Sequence, residues 1–238
     1  MSEWKAKRFW KASEVIAAEQ GFTVTLDSRP VKTPGKRALV VPSRGFAEAI
    51  AAEWEAQEDQ IDPRMMPFTR TANAALDKVA LQRAEVADML ADYGDSDLLC
   101  YRAEQPRELV ARQAAQWDPM LAWARTALGA SLQARSGVMH VPQDRAALAR
   151  LRDRVHALSD FELAAFHDLV SLSGSLILGF AAAQDVETSR AIWDISRLDE
   201  LWQAEQWGQD DEAEAAAALK QIAFEHAKVV FDLSKPQF

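Results

Sequence analysis

The change of hydrophobic period near Ser43 constrains this chain most. Before it, Phe22, Val24 and Leu26 alternate with Thr23, Thr25 and Asp27, the period-2 texture of a half-buried strand. After it, Phe46, Ala47, Ile50, Ala51 and Trp54 recur at three and four, the texture of a helix that Ser43 is placed to cap. Asp27-Ser28-Arg29-Pro30 and Pro34-Gly35 read as turns, Val31 to Thr33 as a short return, and Ala38 to Val41 as a further strand. A few strands alone leave one apolar face bare, so the helix is expected to cover them. The expected class is α+β: a small N-terminal β-meander/α layer followed by a larger, mostly helical domain. Asp62-Pro63 and Met66-Pro67 form a stiff connector, which sets the expected boundary: residues 1–67 as the small domain, 68–238 as the helical one.

Beyond the connector, Ala72, Ala75, Leu76, Val79, Val86, Met89, Leu90 and Tyr93 suggest one stripe closed by Gly94 as a C-terminal cap. A helix from Arg107 reaches Trp117 and kinks or restarts at Asp118-Pro119, with Trp117, Trp123 and Leu128 expected in the core. Further helices are expected over about 143–157, 161–183, 187–207 and 211–231. The longest apolar run is Leu169 to Ala183. Its serines and glycines permit close helix packing, and its length falls short of the roughly 20 residues a membrane span needs. No membrane insertion is expected.

The net charge of −9 argues against a nucleic-acid binder, which needs a basic footprint. That charge is unevenly spread: residues 1–45 carry nine Lys/Arg against four Asp/Glu, and residues 184–238 carry five against twelve. The acidic end either meets a basic surface or, through Asp210, Asp211, Glu212 and Glu214, simply solvates a helix start and opposes its dipole. Cys100, the single cysteine, rules out an intrachain disulfide framework and fits a reducing compartment. Met1 to Trp10 alternates charges and aromatics without an apolar segment, unlike a secretory signal.

Read as one helix, Trp193 to Gly208 has two faces to satisfy. Ala191, Ile195, Leu198 and Trp202 form a core stripe; nearly opposite lie Trp193, Arg197, Glu200, Ala204 and Trp207. Either this chain's own helices cover the second row, or a partner does, since Trp and Arg dominate binding hot spots.

Signs of catalysis are weak. There is no phosphate-binding glycine loop, and His140, His156, His167 and His226 lack metal-ligand spacing. Cys100 among apolar neighbours reads as buried, Asp95 and Asp97 as turn and capping residues, and Glu53, Glu55 and Glu58 as the solvated side of the Trp54 helix. No catalytic residue, cofactor or metal is expected.

Seven segments in order resemble one family. They are Arg8-Phe9-Trp10; Leu26 to Lys36; Ala49 to Gln57 around Trp54; Met66-Pro67-Phe68-Thr69-Arg70; Asp97-Leu98-Leu99-Cys100-Tyr101-Arg102; Gln116-Trp117-Asp118-Pro119; and Leu198 to Gln203 with Trp207-Gly208. Together they resemble the assembly chaperones that attend the alpha subunit of the F-type ATP synthase, known in mitochondria as assembly factor 2. The resemblance implies two domains, no catalysis, and a protein that binds the unassembled alpha subunit and keeps it soluble until it pairs with the beta subunit. It also assigns the family's functionally important glutamate to Glu200, and a family tryptophan to Trp54, which its spacing marks as structural. The expected partner-binding set is therefore Glu200, Trp193, Arg197, Trp207 and Asp199. Glycine is usual in the family where Ser28 stands, so a different turn type is expected there. The chain is expected to be monomeric when free, and bacterial cytoplasmic since no Arg-rich targeting segment precedes it, or mitochondrial-matrix as a mature organellar form. The rival from another class is a small hydrolase or transferase whose fold brings a histidine to Asp95 and Asp97.

Overall fold

A computed structural model describes residues 7–235. The chain divides into two compact units. The first holds the described chain through Arg83 together with Ser159–Ala165 and the chain from Val229 onward; the second holds Ala84–Leu158 and Phe166–Lys228.

In the first unit, β1 (Ser13–Ala18) and β2 (Gly21–Leu26) form an antiparallel hairpin. The opposite edge of β2 takes β3 (Arg29–Pro30) beside Leu26 and β4 (Val40–Val41) beside Phe22, both antiparallel. Strand β1 carries only a short apolar stretch, Val15 to Ala18, too brief to reveal its period, and the sequence leaves it unassigned. Flanked on both edges and covered by α1 (Arg44–Glu55), β2 is buried on both faces toward its end rather than on alternate residues. Thr23 and Thr25 are thus buried, and the Thr23 hydroxyl donates to the Leu39 carbonyl at 2.6 Å, which removes the penalty of an unpaired polar group.

Ser43 caps α1 as expected, accepting from the Phe46 amide at 3.1 Å, while its hydroxyl donates to the Leu233 carbonyl at 2.6 Å. Phe46 is fully buried, edge-on to Phe68 at 6.3 Å and to Phe161 at 5.9 Å. Helix α2 (Pro67–Asp77) begins after a Met66 that offers no side-chain cap. Glu53, expected in solvent, caps it instead: it is buried, and its carboxylate accepts from the Phe68 amide at 2.6 Å and from the Thr69 amide and hydroxyl at 2.8 and 2.7 Å. Burial pushes the Glu53 carboxyl upward, against these three hydrogen bonds. This clamp keeps α2 with the first unit, so the chain passes to the second unit after Arg83 rather than at Pro67.

The long stripe expected from Thr69 to Gly94 is broken. Lys78 departs from helical dihedrals, and α3 (Arg83–Asp92) starts afresh, which leaves Met89 exposed. Gly94 lies in a 3-10 turn and closes no helix; a Cβ there would sit 3.2–3.3 Å from Leu148, Leu151 and Leu176, so close approach is what requires glycine.

The second unit continues with α4 (Arg107–Trp123), which runs through Pro119 without restarting, and α5 (Arg145–His156). Trp117 and Leu128 are core as expected, whereas Trp123 is only half-buried. Two two-residue strands, β5 (Tyr101–Arg102) and β6 (Arg135–Ser136), pair in parallel. The apolar segment splits at Gly174 (φ +69) into α6 (Asp160–Ser173), whose first residues belong to the first unit, and α7 (Leu176–Ala183), every residue of which is buried. The expected close packing is present: a Cβ on Gly179 would lie 2.7 Å from Val170. Three helices finish the chain: α8 (Ser189–Ser196), α9 (Leu198–Trp207) and α10 (Asp211–Leu233). The fold is the expected α+β arrangement, a small sheet layer followed by a mostly helical remainder. Among the described residues no helix is long and apolar enough to cross a membrane.

Candidate partner-docking site

The helix expected over 187–207 is two helices, and the break decides which side chains can meet a partner. Arg197, at φ −101 and ψ +15, ends α8 and opens α9. The second row read across Trp193, Arg197, Glu200, Ala204 and Trp207 is consequently not continuous. Trp193 turns inward: it is 4% exposed and packs on Phe224 at 5.7 Å, so it is a core residue and leaves the expected docking set. The Arg197 guanidinium lies 5.9 Å from the Trp193 ring centroid and donates to Glu200 Oε1 at 2.7 Å. On α9 itself Glu200, Gln203 and Trp207 follow at i, i+3 and i+7, one face of a helix, and all three are exposed. Trp207 is 80% exposed.

Asp199 faces the other way. Gln113 Nε2 donates to Asp199 Oδ1 at 2.7 Å, while Gln113 Oε1 accepts from the Ala103 amide at 2.9 Å; Gln113 is 1% exposed. Asp199 therefore fastens α9 to α4 and to the strand end at Arg102, a positioning task rather than an outward contact. Two more ties hold the same end of the chain. The Trp117 indole donates to the Ile195 carbonyl at 3.0 Å. Arg112 grips Glu205 through two nitrogens, the second at 2.8 Å, and stacks 5.8 Å from Trp202. This grip holds the Glu205 carboxyl below its ordinary range. A buried glutamine six residues into α4 carries no periodic or motif signal, so sequence reasoning passed over Gln113.

Asp97 braces the same unit. Completely buried, it accepts from Ser175 Oγ at 2.7 Å and from the Leu99 and Ile177 amides at 3.0 Å each, which joins the Asp97–Arg102 segment to the start of α7. Burial pushes its carboxyl up to about 6 in spite of these donors. Burial, then the neighbouring Asp97 charge, pushes the Cys100 thiol up to about 12, so it stays protonated and inert. Arg102 completes the junction by donating to Leu99 O and Asp118 at 2.8 Å each, with its guanidinium 5.3 Å from the Trp117 ring.

The fold does bring a histidine to one of the two aspartates. His140 Nε2 lies 3.3 Å from Asp95 Oδ2 and its Nδ1 3.2 Å from the Tyr101 hydroxyl. The group sits on a surface loop with the imidazole half exposed, and Asp97 shares none of its partners. A cavity of about 630 Å³ is found elsewhere, in the first unit, lined by Lys7, Arg8, Trp10 and residues 58–60. Trp54 lies beside it in that unit, half-buried and edge-on to Trp10 at 5.1 Å, the structural place its spacing indicates.

The second unit thus gathers the last three of the seven sequence motifs and leaves a tryptophan and a glutamate pointing outward from the final one. Residues 7–125 match the family described as ATP12 chaperone protein. The crystal structure of Atp12 from Paracoccus denitrificans superposes with a TM-score of 0.94 at 48% identity, over 98% of this chain and all of that one. This chain belongs to the ATP12 chaperone family. An aspartate-to-lysine mutant of the same Paracoccus Atp12 superposes equally well, with a TM-score of 0.95. A protein of Agrobacterium tumefaciens matches with a TM-score of 0.90 at 41% identity, over 96% of this chain and 85% of its own. The mitochondrial protein atp12 of Schizosaccharomyces pombe is 25% identical over 219 residues, which are 87% of this chain and 75% of that protein. As a member of the ATP12 family the chain is an ATP synthase assembly chaperone, the family its motifs resemble.

Proposed function

We propose that this ATP12 family chain binds the unassembled alpha subunit of the F-type ATP synthase, keeps it soluble until the beta subunit replaces it, and performs no catalysis. One observation carries the reading: Trp207, a large apolar side chain left 80% exposed on the same helical face as Glu200. Trp and charged groups side by side are the composition of a protein-binding hot spot, and an indole in water otherwise costs the chain solubility. An orphan subunit exposes apolar interface that aggregates, and masking it needs complementarity rather than turnover. Arg197, Glu200 and Trp207 make the contact; Asp199 positions α9, and Trp193 supports it from within. The free chaperone is a monomer, and it works in the bacterial cytoplasm or, as an organellar form, in the mitochondrial matrix.

The experiment is light scattering by the purified alpha subunit on dilution from denaturant. An equimolar amount of this protein is expected to suppress the rise, and Glu200→Lys to abolish most of that protection. The Arg197 pair is exposed and contributes at most about 1 kcal/mol, so the variant is expected to melt within about 3 °C of the parent. Scattering identical with and without the chaperone would refute the proposal.

A further inference from the structure

The last two helices carry a feature that the folding of this chain does not use. From Gln203 on, every residue of α9 except Ala204 is exposed; so are all of residues 211–220, the first ten of α10, apart from the half-buried Ala217. A helix is ordinarily stabilised by packing one face, yet these turns pack almost nothing. Apart from the Arg112 grip on Glu205, they stand by local means. Ala213 and Ala215 to Ala218 have the highest helix propensity, Asp210 Oδ1 accepts from the Glu212 and Ala213 amides at 2.9 and 3.2 Å, and Asp211, Glu212 and Glu214 oppose the helix dipole. Such a helical arm nevertheless exposes Trp207 (80%), Leu219 (71%) and Ile222 (64%), the latter two one turn apart on α10. Between Arg197 and Lys220 the chain has seven carboxylates and no lysine or arginine; Asp199, Glu200 and Glu205 are engaged by Gln113, Arg197 and Arg112, which leaves the run Asp210, Asp211, Glu212 and Glu214.

We infer that the α9–α10 arm is a preformed docking element for a cationic, amphipathic segment of the partner protein. The inference rests on the proposed function for the partner's identity and adds the chemistry of what is gripped. The exposed apolar residues call for an apolar stripe on the occupant, and the acidic run Asp210, Asp211, Glu212 and Glu214 calls for Lys or Arg beside it. The same charge repels anionic lipid headgroups, so a membrane surface does not fit. Because the arm is already helical, binding does not have to order it, which saves affinity that a flexible tail would lose.

Calorimetric titration of purified alpha subunit into the full chain tests this at about 50 mM and about 300 mM salt, across which surface charge is progressively screened. Affinity is expected to fall about tenfold between the two. Asp211→Asn with Glu212→Gln and Glu214→Gln is expected to bind about tenfold more weakly at low salt and to lose most of the salt dependence. Trp207→Ala with Leu219→Ala and Ile222→Ala is expected to weaken binding at least tenfold at both salts; alanine preserves the helix, which circular dichroism verifies. Binding of the alpha subunit within about twofold of the parent for both variants overturns the inference while sparing the proposed function. If the parent fails to bind the alpha subunit, the proposed function falls, and a synthetic Leu/Lys amphipathic peptide decides the arm separately. Capture of the peptide by the parent but not by the alanine variant supports the arm, and no capture overturns it. Sedimentation showing a dimer of this chain that the alanine substitutions dissociate also overturns it.

Discussion

Asp27 and Ser28 occupy the left-handed region, at φ +47 and φ +66, in the tight turn between β2 and β3. Both central residues at positive φ define the primed hairpin turn that matches strand twist, so the turn keeps the conformation glycine favours even though serine stands there. Asp27 offsets part of the cost by accepting from the Lys11 and Ala12 amides, 3.0 and 3.1 Å from Oδ1, and those amides lower its carboxyl pKa. Ser28→Gly is expected to stabilise the protein by about 0.5–1 kcal/mol, a rise of about 1–4 °C in the melting temperature; an unchanged or lower value contradicts this account of the turn. Asp97 supplies the second prediction at this scale. Its folded pKa is raised to about 6 from an ordinary 3.8, so between those values the folded state holds more protons and stability falls as pH rises. Urea titrations of the parent and Asp97→Asn across pH 4–7 are expected to differ by this downward slope, present only in the parent. Asp97→Asn is also expected to cost about 2–3 kcal/mol at pH 7, because its amide meets a hydrogen-bond donor where a carboxylate oxygen accepted one. The sequence marks Asp97 as polar before an apolar run, hence as a cap, and it does accept from Leu99; that it reaches Ser175 and Ile177, about eighty residues on, is a tertiary fact no local pattern holds.

Elements were legible wherever a long period or a strong cap governs them. Ser43 with the Phe46–Ile50 spacing located α1, and the strand texture located β2. Breaks inside helical stretches were not, because Lys78 and Arg197 are good helix formers whose departure from helical dihedrals comes from packing and not from propensity. The break at Arg197 also reversed the reading of Trp193, since a periodicity drawn through a hinge puts residues on one face that the fold places apart. The break at Gly174 escaped the reading of 161–183 as one helix as well, because the apolar run is continuous across it, although a glycine there is followed by Ser175, whose hydroxyl accepts from the Leu178 amide at 3.0 Å. Asp199 gives the element-scale prediction. Asp199→Ala leaves the buried Gln113 amide without its acceptor and unfastens α9 from α4, which is expected to cost about 1–3 kcal/mol; Gln113→Leu combined with Asp199→Leu removes that unmatched amide but also the acceptor of the Ala103 amide, and is expected to recover only part of it. Thermal melts of the two variants check the pair, and equal destabilisation by both would contradict the positioning role.

At the scale of the whole molecule, four of the seven motifs found in order along the chain join to one another within their units. Glu53 from one caps the helix begun by Met66-Pro67-Phe68-Thr69-Arg70, and Arg102 from another reaches Trp117 and Asp118 in a third. The composition of the units was not legible, because the first is completed by Ser159–Ala165 and by the chain from Val229, segments read as parts of long helices. Val230 and Phe231 are buried there, and Leu233 accepts the Ser43 hydroxyl. A fragment ending at Arg83 is therefore expected to remain largely unfolded by circular dichroism, since losing Phe161, Val230 and Phe231 removes several kcal/mol of apolar burial. The exposed face of α9 was half legible: Glu200 and Trp207 keep their shared side, and Trp193 does not. The most direct measurement of the central claim is photo-crosslinking from that face. With a benzophenone amino acid in place of Trp207, the chaperone is expected to form a crosslinked product with the unassembled alpha subunit, and with the same group in place of Trp193 it is expected to form none. A soluble complex that crosslinks equally from both positions, or not at all from 207, would contradict the assignment of this face to the partner.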